Sequence, residues 1–155
     1  MTTPSLIAKH LRDVHFGGNW TDVNLKATLA GINWQQATEK IHSFNTIATL
    51  VYHTNYYIAA VTNVLQGQPL NAKDKDSFEH PPITSEEDWQ ALQAKTWRDA
   101  EEFAALIEQL PEDQLQETFA DEKHGTYYHN LHGIIEHLHY HLGQIVLLKK
   151  LLSTQ

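Results

Sequence analysis

The sequence predicts an all-α protein, a four-helix bundle with long connections between its first and second and between its second and third helices. Apolar residues recur at helical spacing along almost the whole chain. Glycine and proline fall between the periodic segments, apart from Gly133 and Gly143. Start and stop signals bracket the long segments. The 155 residues fit one domain, spanning 1–155, that is large enough to enclose its own core.

The first helix is expected from about Pro4 to Phe16. Proline suits a first helical turn, Ile7, Leu11 and Val14 keep helical spacing, and Gly17-Gly18 ends it. A connecting region with Trp20, Leu25, Leu29 and Ile32 leads to a short helical piece from Trp34 to about Lys40, where Asn33 and Gln36 are placed as a capping pair. The second long helix should start near Asn45-Thr46 and continue to Leu65, with Ile47, Leu50, Val51, Thr54, Tyr57, Ile58, Val61 and Leu65 as its core stripe. Gly67 and Pro69 stop it.

The stretch from Gly67 to Thr84 contains three prolines and is long for a plain connection, which points to a lid or to disorder. Thr84-Ser85-Glu86-Glu87 then reads as a capping box with acidic residues where the helix dipole favours them. It opens a third helix that buries Trp89, Leu92, Trp97, Ala100, Phe103, Ala104, Ile107 and Leu110 and stops at Pro111. The Trp89/Trp97 pair is expected in the core. The last helix covers roughly Tyr127 to Leu152.

Composition removes several classes of function. No cysteine is present, so disulfides, Cys-based zinc sites, iron–sulfur clusters and cysteine nucleophiles are excluded. Eleven Lys+Arg stand against 19 Asp+Glu, a net charge of -8, which has the wrong sign for a phosphate-backbone binder. No apolar stretch is long enough to span a membrane. The expected protein is soluble and cytoplasmic, with neither nucleic acid nor membrane as partner. No Gly-rich phosphate loop or serine nucleophile elbow occurs.

Histidine is the unusual residue: the chain has eleven, as many as its lysines and arginines together. Six of them, His124, His129, His132, His137, His139 and His141, fall in one C-terminal stretch. On a helical wheel, Leu131, Ile134, Ile135, Leu138, Leu142, Ile145, Val146 and Leu152 form one arc of the last helix. His141 lies at the edge of that arc and His137 further out on the same side, one turn away, so both can reach one ion. His132, Glu136 and His139 lie on the other flank, where a solvated polar face is expected. His10, His15, His42, His80, His124 and His129 have no placement that points to a site.

His53, at the edge of the second helix's apolar arc beside Tyr57, Ala60 and Val64, is the best third ligand, because bundle cores build metal sites from facing helices. Three imidazoles leave positions open for water or substrate, as in catalytic zinc sites. Nickel and iron accept imidazole too, so the donor set does not select the metal. Gln144, Tyr57 and Asn130 are candidate acceptors for the outer ring nitrogens. The wheel alone leaves two readings level: a metal site, and core-edge histidines satisfied by hydrogen bonds. The zincin pattern is absent, since Glu136 precedes His137 and points away. The Glu39–His42 and Glu136–His139 spacings lack the further inward glutamates of a di-iron site.

The segment from Ile135 to Ile145, with Glu136-His137 followed by His141-Leu142-Gly143-Gln144-Ile145, resembles the C-terminal signature of the DinB/YfiT-like metalloenzyme superfamily. Leu50-Val51-Tyr52-His53 resembles its motif on the second helix, and the resemblance runs along essentially the whole chain. It implies a four-helix bundle, often dimeric, holding a divalent metal through His53, His137 and His141. It further implies a small-molecule substrate, a low-molecular-weight thiol for relatives that act as S-transferases, while others resemble hydrolases or isomerases. A metal-dependent enzyme of the S-transferase or hydrolase kind is the favoured expectation, against a non-catalytic metal-binding or stress-associated bundle. Catalytic residues are not assigned. Tyr57, Tyr140 and His80 are weak candidates for a second polar group beside the metal.

Overall fold

The computed structural model describes residues 1–154. Their regular structure is helical: α1 (Thr3–Phe16), α2 (Leu25–Leu29), α3 (Trp34–Thr38), α4 (Ile47–Leu65), α5 (Glu86–Glu108) and α6 (Tyr127–Ser153). Single 3-10 turns lie at Lys75–Phe78, Asp113–Gln116 and Glu122–His124. Among the described residues there is no strand, only an isolated bridge between Thr118 and Thr126. No helix among them is long and apolar enough to cross a membrane.

Local chemistry sets the ends of these helices. The Thr2 side chain accepts from Ser5 N at the start of α1, and Gly17, at φ 117°, ends it in a conformation other residues rarely adopt. Asn33 and Gln36 form a reciprocal capping box on α3, at 2.9 and 3.1 Å. The box at α5 is displaced one residue from the expected position. Ser85 is the N-cap and accepts from Asp88 N, while the Asp88 carboxylate reaches back to Thr84 N at 2.9 Å. α2 was not expected as a helix: it is five residues long, capped by Asn24, and too short for periodicity to reveal.

α1 lies against α5 and α6, and α4 lies against the same two helices. The core between them contains Leu11, Val14, Ile47, Ile58, Phe103, Ile107, Leu131 and Ile145, all essentially inaccessible to solvent. Trp89 is fully buried and its indole N–H donates to Ile32 O at 2.8 Å, pinning the α2–α3 connection to α5. Trp97 packs edge-on against Phe16, so both tryptophans belong to the packing, as expected. Trp20 is wholly exposed.

The segment from Gly67 to Thr84, expected as a lid or as disorder, folds back along α4. Lys73 N donates to Tyr56 Oη at 2.9 Å, and Tyr57 Oη donates to Asp74 Oδ1 at 2.7 Å. Between these anchors and Glu79 the chain makes the 3-10 turn that buries Ser77 completely. Two tyrosines one position apart on α4 thus fix the strap that completes the site below.

Candidate metal centre

The centre is built where α4 faces α6. His53 sits mid-way along α4 and is buried, His141 is buried on α6, and His137 is half-buried one turn earlier. One ligand nitrogen from each lies within 4.8 Å of the others, and they are the only such group of three metal-ligating side chains among the described residues. The ring centres of the three pairs stand 4.6 to 4.8 Å apart, the rings steeply inclined to one another. The wheel's division of the C-terminal histidines therefore holds in space: His137 and His141 turn toward His53, while His132 and His139 do not.

Hydrogen bonds fix which nitrogens face inward. Ser77 Oγ–H donates to Asp74 O at 2.5 Å, so Ser77 Oγ must accept from Nδ1–H of His53 at 2.8 Å. The lone pair of His53 is then on Nε2. Nδ1–H of His141 donates to Gln144 Oε1 at 2.7 Å, which likewise leaves its Nε2 free. His137 Nε2 lies 2.9 Å from His53 Nε2, so without an ion the first donates to the second. Phe78, next to Ser77, stacks on the His53 ring with centres 4.1 Å apart.

Of the three acceptors expected from the sequence, Gln144 is in place. Tyr57 instead gives its hydroxyl to Asp74 and lays its ring edge-on against His53 and His137. Asn130 is turned to the His124 and Thr126 carbonyls. Ser77 was missed because it lies in a stretch without periodicity.

Electrostatics disfavour the charged forms of His137 and His53. Burial pushes His137 down to about 4, helped by its neighbours His141 and His53, with Asp74 acting in the opposite sense. Burial, then His141, lowers His53 as well. Tyr57 is pushed up to about 12 by burial and by its bond to Asp74, so it stays a proton donor at neutral pH. Neutral imidazoles with oriented outer N–H groups are the form in which histidine binds zinc, nickel or iron, and the donor set fits such an ion.

The centre opens on one side into a cavity of about 620 Å³, bordered by His53, His137, Tyr57 and Asp74 and by the apolar side chains of Leu70, Phe119 and Ile134. His124 and His129, which nothing in the sequence singled out, border it too. The His124 ring is held through Nδ1 by the Asp121 carboxylate at 2.7 Å. Tyr140 packs on His141 but is largely exposed, and His80 lies elsewhere, bonded to Thr49.

The family model described as DinB superfamily matches residues 19–145, which include all three histidines, and the chain belongs to that superfamily. Comparison with curated proteins and with solved structures gives no match.

Proposed function

We propose that the protein is a metal-dependent enzyme acting on a small molecule, built on a four-helix bundle, with His53, His137 and His141 as the ligands of a divalent zinc, nickel or iron ion. One observation carries this reading: three imidazoles converge on one point, two of them, His53 and His137, at the wall of an open cavity, and two of them, His53 and His141, with the outer nitrogen already engaged. A solely structural zinc site would instead supply four protein ligands and no access. Bound there, the ion would supply Lewis acidity, polarising a substrate group or favouring ionisation of a water or thiol.

The chain's own groups have separable tasks in this reading. Asp74 accepts the hydrogen bond from the Tyr57 hydroxyl and so presents the phenol oxygen as a hydrogen-bond acceptor at the cavity wall. Asp121 holds Nδ1 of His124, so the opposite nitrogen can take or give a proton. Leu70, Phe119 and Ile134 exclude water from one side of a small organic substrate. The chain has no cysteine, so in a thiol-transfer reaction the thiol comes with the substrate. Hydrolysis is the other reaction class this set serves. We place the protein in the cytoplasm and propose a homodimer, formed through the exposed Phe44, Tyr140, Leu147 and Leu151.

The test pairs metal analysis after exhaustive dialysis with a panel of thiol-transfer and hydrolase substrates, comparing wild type with His53→Ala. Wild type should retain about one tightly held ion per chain, and His53→Ala should lose both ion and turnover. A metal-free wild type that is folded and active would sink the reading.

A further inference from the structure

A second group of imidazoles meets on the opposite flank of α6. His10 of α1 and His139 of α6 have ring centres 5.8 Å apart. His132 and Glu136 precede His139 at positions i, i+4 and i+7, which lie along one helix face. His139 and His132 are half-buried, whereas His10 and Glu136 are exposed. Among the described residues, none of these four side chains has a hydrogen-bond partner in the protein.

The separation suits shared coordination. Two imidazoles on one ion, with metal–nitrogen distances of about 2.0–2.1 Å, put their ring centres roughly 5 to 6 Å apart. Glu136 lies between the two histidines of α6 and is exposed. An exposed carboxylate there is free to turn inward. Nothing in the centre on α4 uses these groups.

We propose that His10 and His139, completed by Glu136, form a second site for a divalent d-block ion, joining α1 to α6. It binds more weakly than the three-histidine centre, because only two ligands are in place and the third must be recruited from solvent.

Calorimetric titration of the full-length, metal-stripped protein with zinc tests this. Wild type should take up two ions per chain in two phases, the second at least tenfold weaker. His10→Ala/His139→Ala should lose the weak phase alone, and His53→Ala/His137→Ala the tight phase alone. His42→Asn, an exposed histidine at φ 50° replaced by a residue that tolerates that conformation, should change neither. A wild type with only the tight phase overturns the second site, as does a weak phase that survives His10→Ala/His139→Ala. A wild type with only a phase that His10→Ala/His139→Ala removes supports the second site and sinks the three-histidine reading instead.

Discussion

Ser77 Oγ stands 2.8 Å from His53 Nδ1, and it can only accept there, because its own proton is given to Asp74 O. A loop serine thus decides the tautomer of a helix histidine and turns the other nitrogen toward His137 and His141. The same turn supplies Phe78 to the face of the His53 ring and Asp74 to the Tyr57 hydroxyl. The strap over α4 is part of the centre, placed there by Tyr56 and Tyr57 from the helix beneath it.

Ser77→Ala should weaken metal binding by roughly 10–100-fold, the usual cost of losing an outer partner of a ligating histidine. The variant leaves Nδ1–H of His53 buried without an acceptor while keeping all three ligands. Competition against a chromophoric chelator measures the change, and circular dichroism should show unaltered helix content. Unchanged affinity would mean that Ser77 only fills space.

Gln144→Leu should weaken binding by a comparable factor, again roughly 10–100-fold, through His141. Gln144→Glu should restore it, because a carboxylate accepts from Nδ1–H at least as well as an amide oxygen. The contrast between the two variants, read in the same chelator competition, separates hydrogen bonding from packing at this position. Equal affinities would argue for packing alone.

The pairing of His137 with His141, and the choice of His53, were legible because helical phase is a geometric property of sequence: residues one turn apart share a face whatever surrounds them. Gln144 was legible for the same reason. Ser77 and Asp74 were not, since the strap has no period and its course depends on contacts with Tyr56 and Tyr57 that appear only once α4 exists. His124 and His129 escaped because they precede the buried part of α6, His124 in the turn at Glu122–His124 and His129 in the first turn of the helix. The sole local sign was the Asp121-x-x-His124 spacing. α2 was not legible because its five residues are too few to show a period and are held by the Asn24 cap and by burial of Leu25 and Leu29.

His137→Ala/His141→Ala should lose the tight ion yet keep most of its helical ellipticity. His137 is only half-buried, and the apolar side of α6 around it (Leu131, Ile134, Ile135, Leu138, Leu142 and Ile145) is untouched. Global unfolding of the double variant would show instead that the imidazoles are needed for packing.

Tyr140, Leu147 and Leu151 fall on one stripe of α6, with Gln144 at the remaining position of the 4-3-4 spacing, and Phe44 is exposed beside the groove that Leu147 and Leu151 border. Leu147 is 63% exposed. Leu147→Glu/Leu151→Glu should convert the proposed dimer to a monomer in sedimentation velocity, because like charges would meet across a self-paired stripe. A monomeric wild type would refute the dimer without touching the metal centre.

His15 gives a prediction about pH. It is completely buried, with Nδ1–H donating to Leu11 O at 2.9 Å and Nε2 buried without a partner. Burial pushes it down from 6.5 to about 4, against the smaller opposing effect of the Leu11 bond. Between those values the unfolded chain binds a proton that the folded chain does not, so stability falls as pH falls, by about 1.4 kcal/mol per unit from this residue. Going from pH 7 to pH 5 should therefore cost the protein about 2 kcal/mol through His15. His15→Leu should lack that share of the acid sensitivity. Urea unfolding of both proteins at the two pH values, with chelator present so that metal release does not contribute, measures the difference. Equal acid losses in the two proteins would show that His15 does not resist protonation in the fold.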